Sequence, residues 1–150
     1  MSDNNTIIIG IGNRNRGDDA LGCLVVEKLN ALGTIEHEII EHNGEPASLM
    51  DRWLDYSRAI IIDAVSSHGE AGTVFNFDLK AEQLPKEFRR TSTHGFGLFE
   101  AIELGRVFDT LPDQMSFHGI EGSNFQMGDK VSEELNNAID KIIENVLGEI

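Results

Sequence analysis

The sequence predicts an α/β fold of three layers, in which helices cover both faces of a twisted five-stranded sheet that is mostly parallel with one antiparallel strand. Runs of β-branched residues alternate along the chain with apolar residues at helical spacing, a pattern typical of a parallel sheet between helices. Only six residues (66–71) separate two predicted strands, too few for a crossover helix, so this pair is expected to be antiparallel. A chain of 150 residues without an internal repeat fits a single domain spanning 1–150.

The elements are predicted from local pattern in chain order. Five apolar or β-branched runs predict strands at 6–10, 36–42, 59–65, 72–77 and 115–120. Apolar residues at helical spacing predict helices at 21–32, 46–54, 94–106 and 131–146. Pro46 suits the first turn of the second helix, since its missing N–H is not needed there. The charged stretch at 79–91 is expected to be an irregular loop.

Composition excludes several classes of function. The chain has 26 acidic and 12 basic residues, a net charge of −14, and this field would repel a nucleic acid. No apolar run approaches the ~20 residues that cross a bilayer, and the amino terminus lacks the basic start of a secretory signal. The single cysteine, Cys23, allows no internal disulfide, which agrees with a reducing compartment. We therefore expect a cytoplasmic protein that binds neither nucleic acid nor a membrane.

The loop after the first strand is rich in glycine and stands where a dinucleotide-binding loop would be. Residues 10–17 lack the third glycine of that motif, because Asn15 occupies its place, and two acidic residues follow where a pyrophosphate would sit. A dinucleotide site is therefore rejected. Asp18 is expected only to complement the positive end of the helix, whereas Asp19 lies closer to the apolar stripe and to the sheet. Asp19 is the better ligand candidate.

Two further residues are expected at the carboxyl ends of the strands, where ligands bind in open α/β folds. Asp63 stands near the end of an otherwise apolar strand, and burying a carboxylate without a partner is costly. His94 follows Thr91-Ser92-Thr93, which can cap a helix, and the helix dipole favours the neutral imidazole that binds metals. Asp19, Asp63 and His94 would offer two oxygens and one nitrogen to a divalent ion such as nickel or zinc.

Other interpretations stay open for these residues. Asp63 could instead accept hydrogen bonds from the turn at 64–67, and His94 could be a surface histidine. His68, in the turn after Asp63, is a rival candidate for the metal. Cys23 is interpreted as a small buried core residue rather than as a ligand or nucleophile.

The order and spacing of these residues resemble the hydrogenase maturation endopeptidases, which trim the C-terminal tail of a NiFe hydrogenase large-subunit precursor. The resemblance covers nearly the whole chain, and its motifs are Gly10-x-Gly12-Asn13, Gly17-Asp18-Asp19-x-x-Gly22, Asp63-Ala64, Gly72-Thr73-Val74, Ser92-Thr93-His94 and the Gly119 loop. One departure is Glu121-Gly122 after the last strand, where many members of the family have a proline. That departure leaves the identity of the substrate open.

The resemblance implies a nickel-dependent protease. The three metal-binding positions of the family fall on Asp19, Asp63 and His94, with the nickel expected to arrive inside the precursor and zinc or cadmium able to occupy the same site. Whether the metal or a carboxylate, Asp19 or Asp63, activates the attacking water is left open. Two other functions are also left open: a non-proteolytic nickel-binding maturation module of the same fold, and a metal-independent carboxylate protease related to spore germination protease.

Basic residues are concentrated in the two loops expected to flank this crevice. They are Arg14, Arg16, Lys86, Arg89 and Arg90. One interpretation is that they are solvated loop residues. The other is that Arg14, Arg16, Arg89 and Arg90 dock an acidic strip or the carboxyl tail of the precursor.

Overall fold

The computed structural model describes residues 5–90 and 97–150, without the side chains of Arg89 and Arg90. Its strands are β1 (Thr6–Ile11), β2 (Glu38–His42), β3 (Arg58–Val65), β4 (Val74–Asp78) and β5 (Gln114–Glu121). Its α-helices are α1 (Leu21–Leu32), α2 (Pro46–Trp53), α3 (Gly97–Phe108) and α4 (Glu133–Leu147). Two short 3-10 helices occupy Gly17–Ala20 and Lys86–Arg90.

The five strands form one sheet in the order β2-β1-β3-β5-β4. β1 pairs in parallel with β2 and β3, β3 pairs in parallel with β5, and β4 runs antiparallel to β5 at one border of the sheet. The predicted fold class is confirmed, including the antiparallel strand that follows the short gap.

Both faces of the central strands are buried because helices cover both of them. All six residues of β1 are buried, as the continuous β-branched run predicts. One face packs under α1 and α4, through residues that include Leu21, Val25, Leu135 and Ile139. The other packs under α2 and α3, through residues that include Leu49, Trp53, Leu98 and Ile102.

The predicted loop at 79–91 is wrong in part, because the second 3-10 helix forms within it. Phe88 is 9% exposed and joins the core. Its ring meets those of Phe75 and Phe77 edge-on, at centroid distances of 5.0 and 5.8 Å. This aromatic contact between distant segments gives the stretch an ordered turn that local composition does not indicate.

Several element boundaries also differ from those predicted. The second strand begins at Glu38 rather than residue 36, and the last strand continues to Glu121. The last helix begins at Glu133 because the hydroxyl of Ser132 accepts the N–H of Leu135 and caps it. Leu32 continues the apolar spacing of the first helix, but it is 48% exposed because α1 ends there.

The parallel strands define two edges of the sheet. The carboxyl ends of β1, β2, β3 and β5 lie together at one edge, which we call the carboxyl edge. The helices α1, α2 and α3 each lead back to the start of the next parallel strand, so they end at the opposite, amino edge. The end of α4 lies there too, because Glu149 accepts a hydrogen bond from Ser116 near the start of β5. Among the described residues, no helix combines the length and apolar character needed to cross a bilayer.

The first helix lies unusually close to the first strand, and two glycines permit the approach. A Cβ atom on Gly10 would lie 2.1 Å from the carbonyl oxygen of Gly22, and one on Gly22 would lie 2.3 Å from that of Ile11. Both clashes are with backbone, which cannot rotate away. This contact sets the position of the loop that joins β1 to α1.

Replacing Gly22 with alanine is expected to lower the free energy of unfolding by about 1–3 kcal/mol or more, because the added methyl forces the helix off the strand. Urea denaturation would measure the loss. Gly148→Ala is a matched control, since a Cβ there meets nothing closer than 3.4 Å. Equal stability of the Gly22 variant and the wild type would contradict the close contact.

Candidate active site

Asp19 and Asp63 are brought to the same part of the carboxyl edge. Asp19 belongs to the 3-10 helix Gly17–Ala20, which follows β1 and packs against β3. Asp63 lies on β3 opposite Gly119 of β5. Asp19 is 3% exposed, and Asp63 is partly buried.

The backbone of Asp19 is held tightly by the loop before it. Its N–H donates to the carbonyl of Arg16 at 3.0 Å, and its own carbonyl accepts the N–H of Asn13 at 3.0 Å. A Cβ on Gly12 would lie 2.0 Å from that same carbonyl oxygen. Gly12 and Asn13 therefore place the backbone of Asp19, a structural role for this part of the glycine-rich loop.

The two carboxylates influence each other electrostatically. Burial raises the pKa of Asp63 well above its usual range, and the negative charge of Asp19 raises it further. A hydrogen bond from the N–H of Ala64 acts in the opposite direction and lowers that pKa. This bond is part of the alternative environment predicted for Asp63, but it does not offset the other two effects.

The arrangement fits a cation. Two acidic side chains held near one another in a partly dry site repel, and a divalent ion between them would relieve both the repulsion and the burial cost. Carboxylate oxygens are ligands that nickel and zinc accept. Among residues 5–90 and 97–150, no group of three or more His, Cys, Asp or Glu side chains is placed to hold a metal.

His94 lies outside the described residues, so the predicted triad as a whole stays a prediction. The same is true of the docking roles of Arg89 and Arg90, whose side chains are not described. The structure places the start of α3 at the carboxyl edge: a Cβ on Gly97 would lie 2.0 Å from the carbonyl of Gly44, just after β2.

Asp18 does more than complement a helix dipole, so that expectation is wrong. The residue is fully buried, and its carboxylate accepts four hydrogen bonds from the segment between β5 and α4. The donors are the N–H groups of Ser123, Asn124 and Ser132, at 2.7, 3.1 and 2.6 Å, and the Ser132 hydroxyl at 2.9 Å. Because Asp18 precedes Asp19, this clamp also holds Asp19 in place.

Glu121 is a second acid at this edge whose role the sequence did not indicate. It is 1% exposed, and its carboxylate accepts the N–H of Ser67 at 2.7 Å and the Ser67 hydroxyl at 2.5 Å. The bonds fasten the turn after β3, in which His68 adopts a left-handed backbone with φ of 63°. An acidic residue ending an apolar strand was the available signal, the same one that pointed to Asp63.

Cys23 and Arg14 both interact with Glu41 of β2. Burial, together with a hydrogen bond to Glu41, raises the pKa of the Cys23 thiol to about 12, which disfavours the nucleophilic thiolate. The guanidinium of Arg14 pairs with Glu41 at 2.5 and 3.1 Å and with Glu27 at 3.0 Å. Arg14 is thus engaged within the chain, whereas Arg16 has no ion pair or side-chain hydrogen bond among the described residues.

Solved structures share this fold. Hydrogenase maturating endopeptidase HybD from E. coli superposes with a TM-score of 0.78 at 20% identity, covering 97% of this chain and 91% of that one. The maturation protease HycI from Thermococcus kodakarensis superposes with a TM-score of 0.72 at 25% identity, covering 97% and 91% of the two chains. These likenesses define an α/β fold of the endopeptidase type.

Sequence comparison gives the family. The HycI family model, described as hydrogenase maturation protease, matches residues 23–149. A Methanocaldococcus jannaschii protein assigned to the hydrogenase maturation proteases is 30% identical over 161 aligned positions, covering 100% of this chain and 99% of the relative. The chain belongs to the hydrogenase maturation protease family, and it is an endopeptidase.

Asp63→Asn is expected to make the metal-free protein more stable at neutral pH. A carboxyl group whose pKa is raised by folding holds its proton more tightly in the native state, so wild-type stability falls as pH rises from about 3.9 toward the raised value. The amide escapes this loss. Denaturation in EDTA across that pH range measures it, with Asp51→Asn on the exposed face of α2 as control. A stability difference that does not grow with pH would contradict the shift.

Asp18→Ala is expected to lower the free energy of unfolding by about 3 kcal/mol, because four partly buried hydrogen bonds lose their acceptor. Asp18→Asn keeps one acceptor oxygen and should lose less. Chemical denaturation gives both values, and Asp140→Ala on the exposed side of α4 serves as the control. A loss no larger than that of the control would mean that the carboxylate does not clamp the segment.

Proposed function

We propose that this chain is a nickel-dependent endopeptidase that removes the C-terminal tail of a NiFe hydrogenase large-subunit precursor after the metal has been inserted. The proposal rests on one observation above all: the 3-10 helix that carries Asp19 packs against β3, which carries Asp63, and the charge of Asp19 contributes to the raised pKa of Asp63. In an endopeptidase of this family, such a pair is suited to hold a cation that the folded substrate brings. Membership of the family supports the precursor as partner.

Asp19, Asp63 and His94 are the proposed ligands. The nickel belongs to the precursor and is cargo rather than a resident cofactor, and zinc or cadmium can take its place in the isolated enzyme. Its arrival would stabilise the ionised form of Asp63. A protease that is completed only by the metal of its substrate cuts only metal-loaded precursor.

Cleavage of the peptide bond needs a water molecule to attack the scissile carbonyl and a group to accept the proton of that water. A divalent ion polarises a carbonyl or acidifies a bound water. If a carboxylate rather than the metal activates the water, Asp63 is the proposed proton acceptor, because in the metal-free site burial and the charge of Asp19 raise its pKa above that of an ordinary carboxylate. Asp19, fixed by Gly12 and by the Asp18 clamp, supplies a preset negative charge beside it.

A second candidate follows from the same pair. Two carboxylates that cannot both ionise easily can share one proton and act as an acid–base pair without a metal. This would be a metal-independent carboxylate protease related to spore germination protease. A non-proteolytic nickel-binding module would use the same residues to bind the ion without cutting.

Charge and cysteine content support the remaining assignments. A net charge of −14 disfavours nucleic acid as a partner. The buried, free Cys23 suits a reducing compartment, so we place the enzyme in the cytoplasm.

Incubating the purified chain with nickel-loaded and nickel-free precursor from the same organism separates the candidates, with intact mass as readout. The proposal expects loss of a C-terminal fragment from the loaded precursor alone. Cutting of both forms in the presence of EDTA would indicate the metal-independent protease. Nickel binding without cutting would indicate the non-proteolytic module.

In the same assay, Asp63→Asn is expected to slow processing by about 100-fold or more, because the proton acceptor and a charged ligand are lost. His94→Ala should weaken nickel affinity by at least about tenfold while leaving stability nearly unchanged. Asp51→Asn and His37→Ala, which change the same residue types away from the carboxyl edge, should process normally. Normal processing by the Asp63 variant would remove Asp63 from the site.

A further inference from the structure

Two loops beside Asp19 are joined into one surface, which we call the platform: residues 13–17 and residues 123–129. Backbone hydrogen bonds connect them directly. The N–H of Gly17 donates to the carbonyl of Asp129 at 3.1 Å, and the N–H of Gly128 donates to that of Asn15 at 2.7 Å. A Cβ on Gly17 would lie 2.3 Å from the carbonyl of Asn124, so the loops touch backbone to backbone.

The platform is attached to the body of the protein through Asp18 and Phe125. The buried carboxylate of Asp18 accepts the backbone N–H groups of Ser123 and Asn124. Phe125 packs against the core under α1 and α4. The side chains of Asn124 and Asp129 are joined at 2.9 Å, which closes the second loop on itself. A surface already ordered in this way loses little conformational entropy when it binds a partner.

One apolar side chain stands out on this polar surface. Met127 is 59% exposed, although its neighbours are polar or glycine. The other large apolar side chains that are exposed among the described residues lie at the ends of helices, at the amino edge: Leu32, Leu54, Val107, Phe108, Leu147 and Ile150. Met127 is therefore the apolar contact that the described part of the carboxyl edge offers, and methionine is enriched in protein interfaces.

The platform also carries a cation that is not used within the described part of the chain. Arg14 is held by Glu27 and Glu41, but the partly exposed Arg16 has no ion pair or side-chain hydrogen bond there. In a chain with a net charge of −14, such a guanidinium favours a partner that presents a carboxylate. The same charge disfavours a second copy of this chain.

We propose that the platform is the surface on which the folded body of the precursor docks, with Met127 as its apolar contact and Arg16 as the partner of a precursor carboxylate. This inference rests on the proposed function. The platform is continuous with Asp19 through Asp18, so a substrate that rests on it has its nearby peptide bonds close to Asp19. Docking there holds the tail over the crevice.

The test measures equilibrium binding of nickel-loaded precursor to the wild type, Met127→Asp and Arg16→Gln, independently of cleavage. Each variant is expected to bind about tenfold more weakly, the effect of losing roughly 1.4 kcal/mol of contact. Val107→Asp, an exposed apolar residue at the amino edge, and Lys141→Gln on α4 are matched controls that should bind like the wild type.

Processing kinetics give a second readout. A docking contact is present in the ground state and the transition state alike, so each variant should raise KM about tenfold and leave kcat within about twofold of wild type. A fall in kcat with unchanged KM would mean that the change disturbs Asp19 instead, and would overturn the docking role. Met127→Gln, which keeps the length of the side chain, should show the same rise in KM.

The two proposals can fail separately. A wild type that binds precursor through Met127 and Arg16 without cutting it would refute the protease but keep the platform. If the wild type cuts the precursor and both variants bind and cut it equally well, the docking role of the platform is refuted and the protease is not. A dimer of the free chain that Met127→Asp dissociates would show a contact between copies and would likewise overturn the inference.

Discussion

The buried carboxylate of Asp18 is the interaction on which the arrangement of the carboxyl edge depends. It accepts hydrogen bonds from two separate parts of the segment between the last strand and the last helix. One side chain therefore fixes the loop after β1 relative to chain more than a hundred residues away. This also fixes the position of its neighbour Asp19, whose own backbone is bonded to Asn13 and Arg16. Asp18 therefore has a structural role and positions Asp19, which is a proposed metal ligand.

The charge of Asp63 is unfavourable for the stability of the fold. A neutral Asp63, or an amide in its place, would destabilise the folded state less, because burial and the charge of Asp19 both disfavour the ionised carboxylate. The fold tolerates this cost within a sheet whose central strands are packed on both faces. The strain is electrostatic, because burial and the charge of Asp19 both raise the pKa of Asp63.

The general architecture was open to prediction because it depends on short-range pattern. The strands, the four helices and the antiparallel border strand follow from periodicity and from one gap of six residues. Asp63 could be singled out because a charged residue in an apolar strand is conspicuous. The helical turn around Phe88 could not be predicted, since it depends on Phe75 and Phe77, which approach it only in the folded chain.

The sequence by itself determined the fold class, the edge at which to look and the acidic residues worth testing, because these depend on neighbours along the chain. The tertiary structure decided which of two adjacent aspartates is a clamp, since only folding brings Ser123 and Ser132 to Asp18. It also showed that Arg14 is bonded to two glutamates, whereas Arg16 in the same loop has no ion pair among the described residues. Such distinctions arise from contacts across long stretches of sequence, where local pattern carries no information.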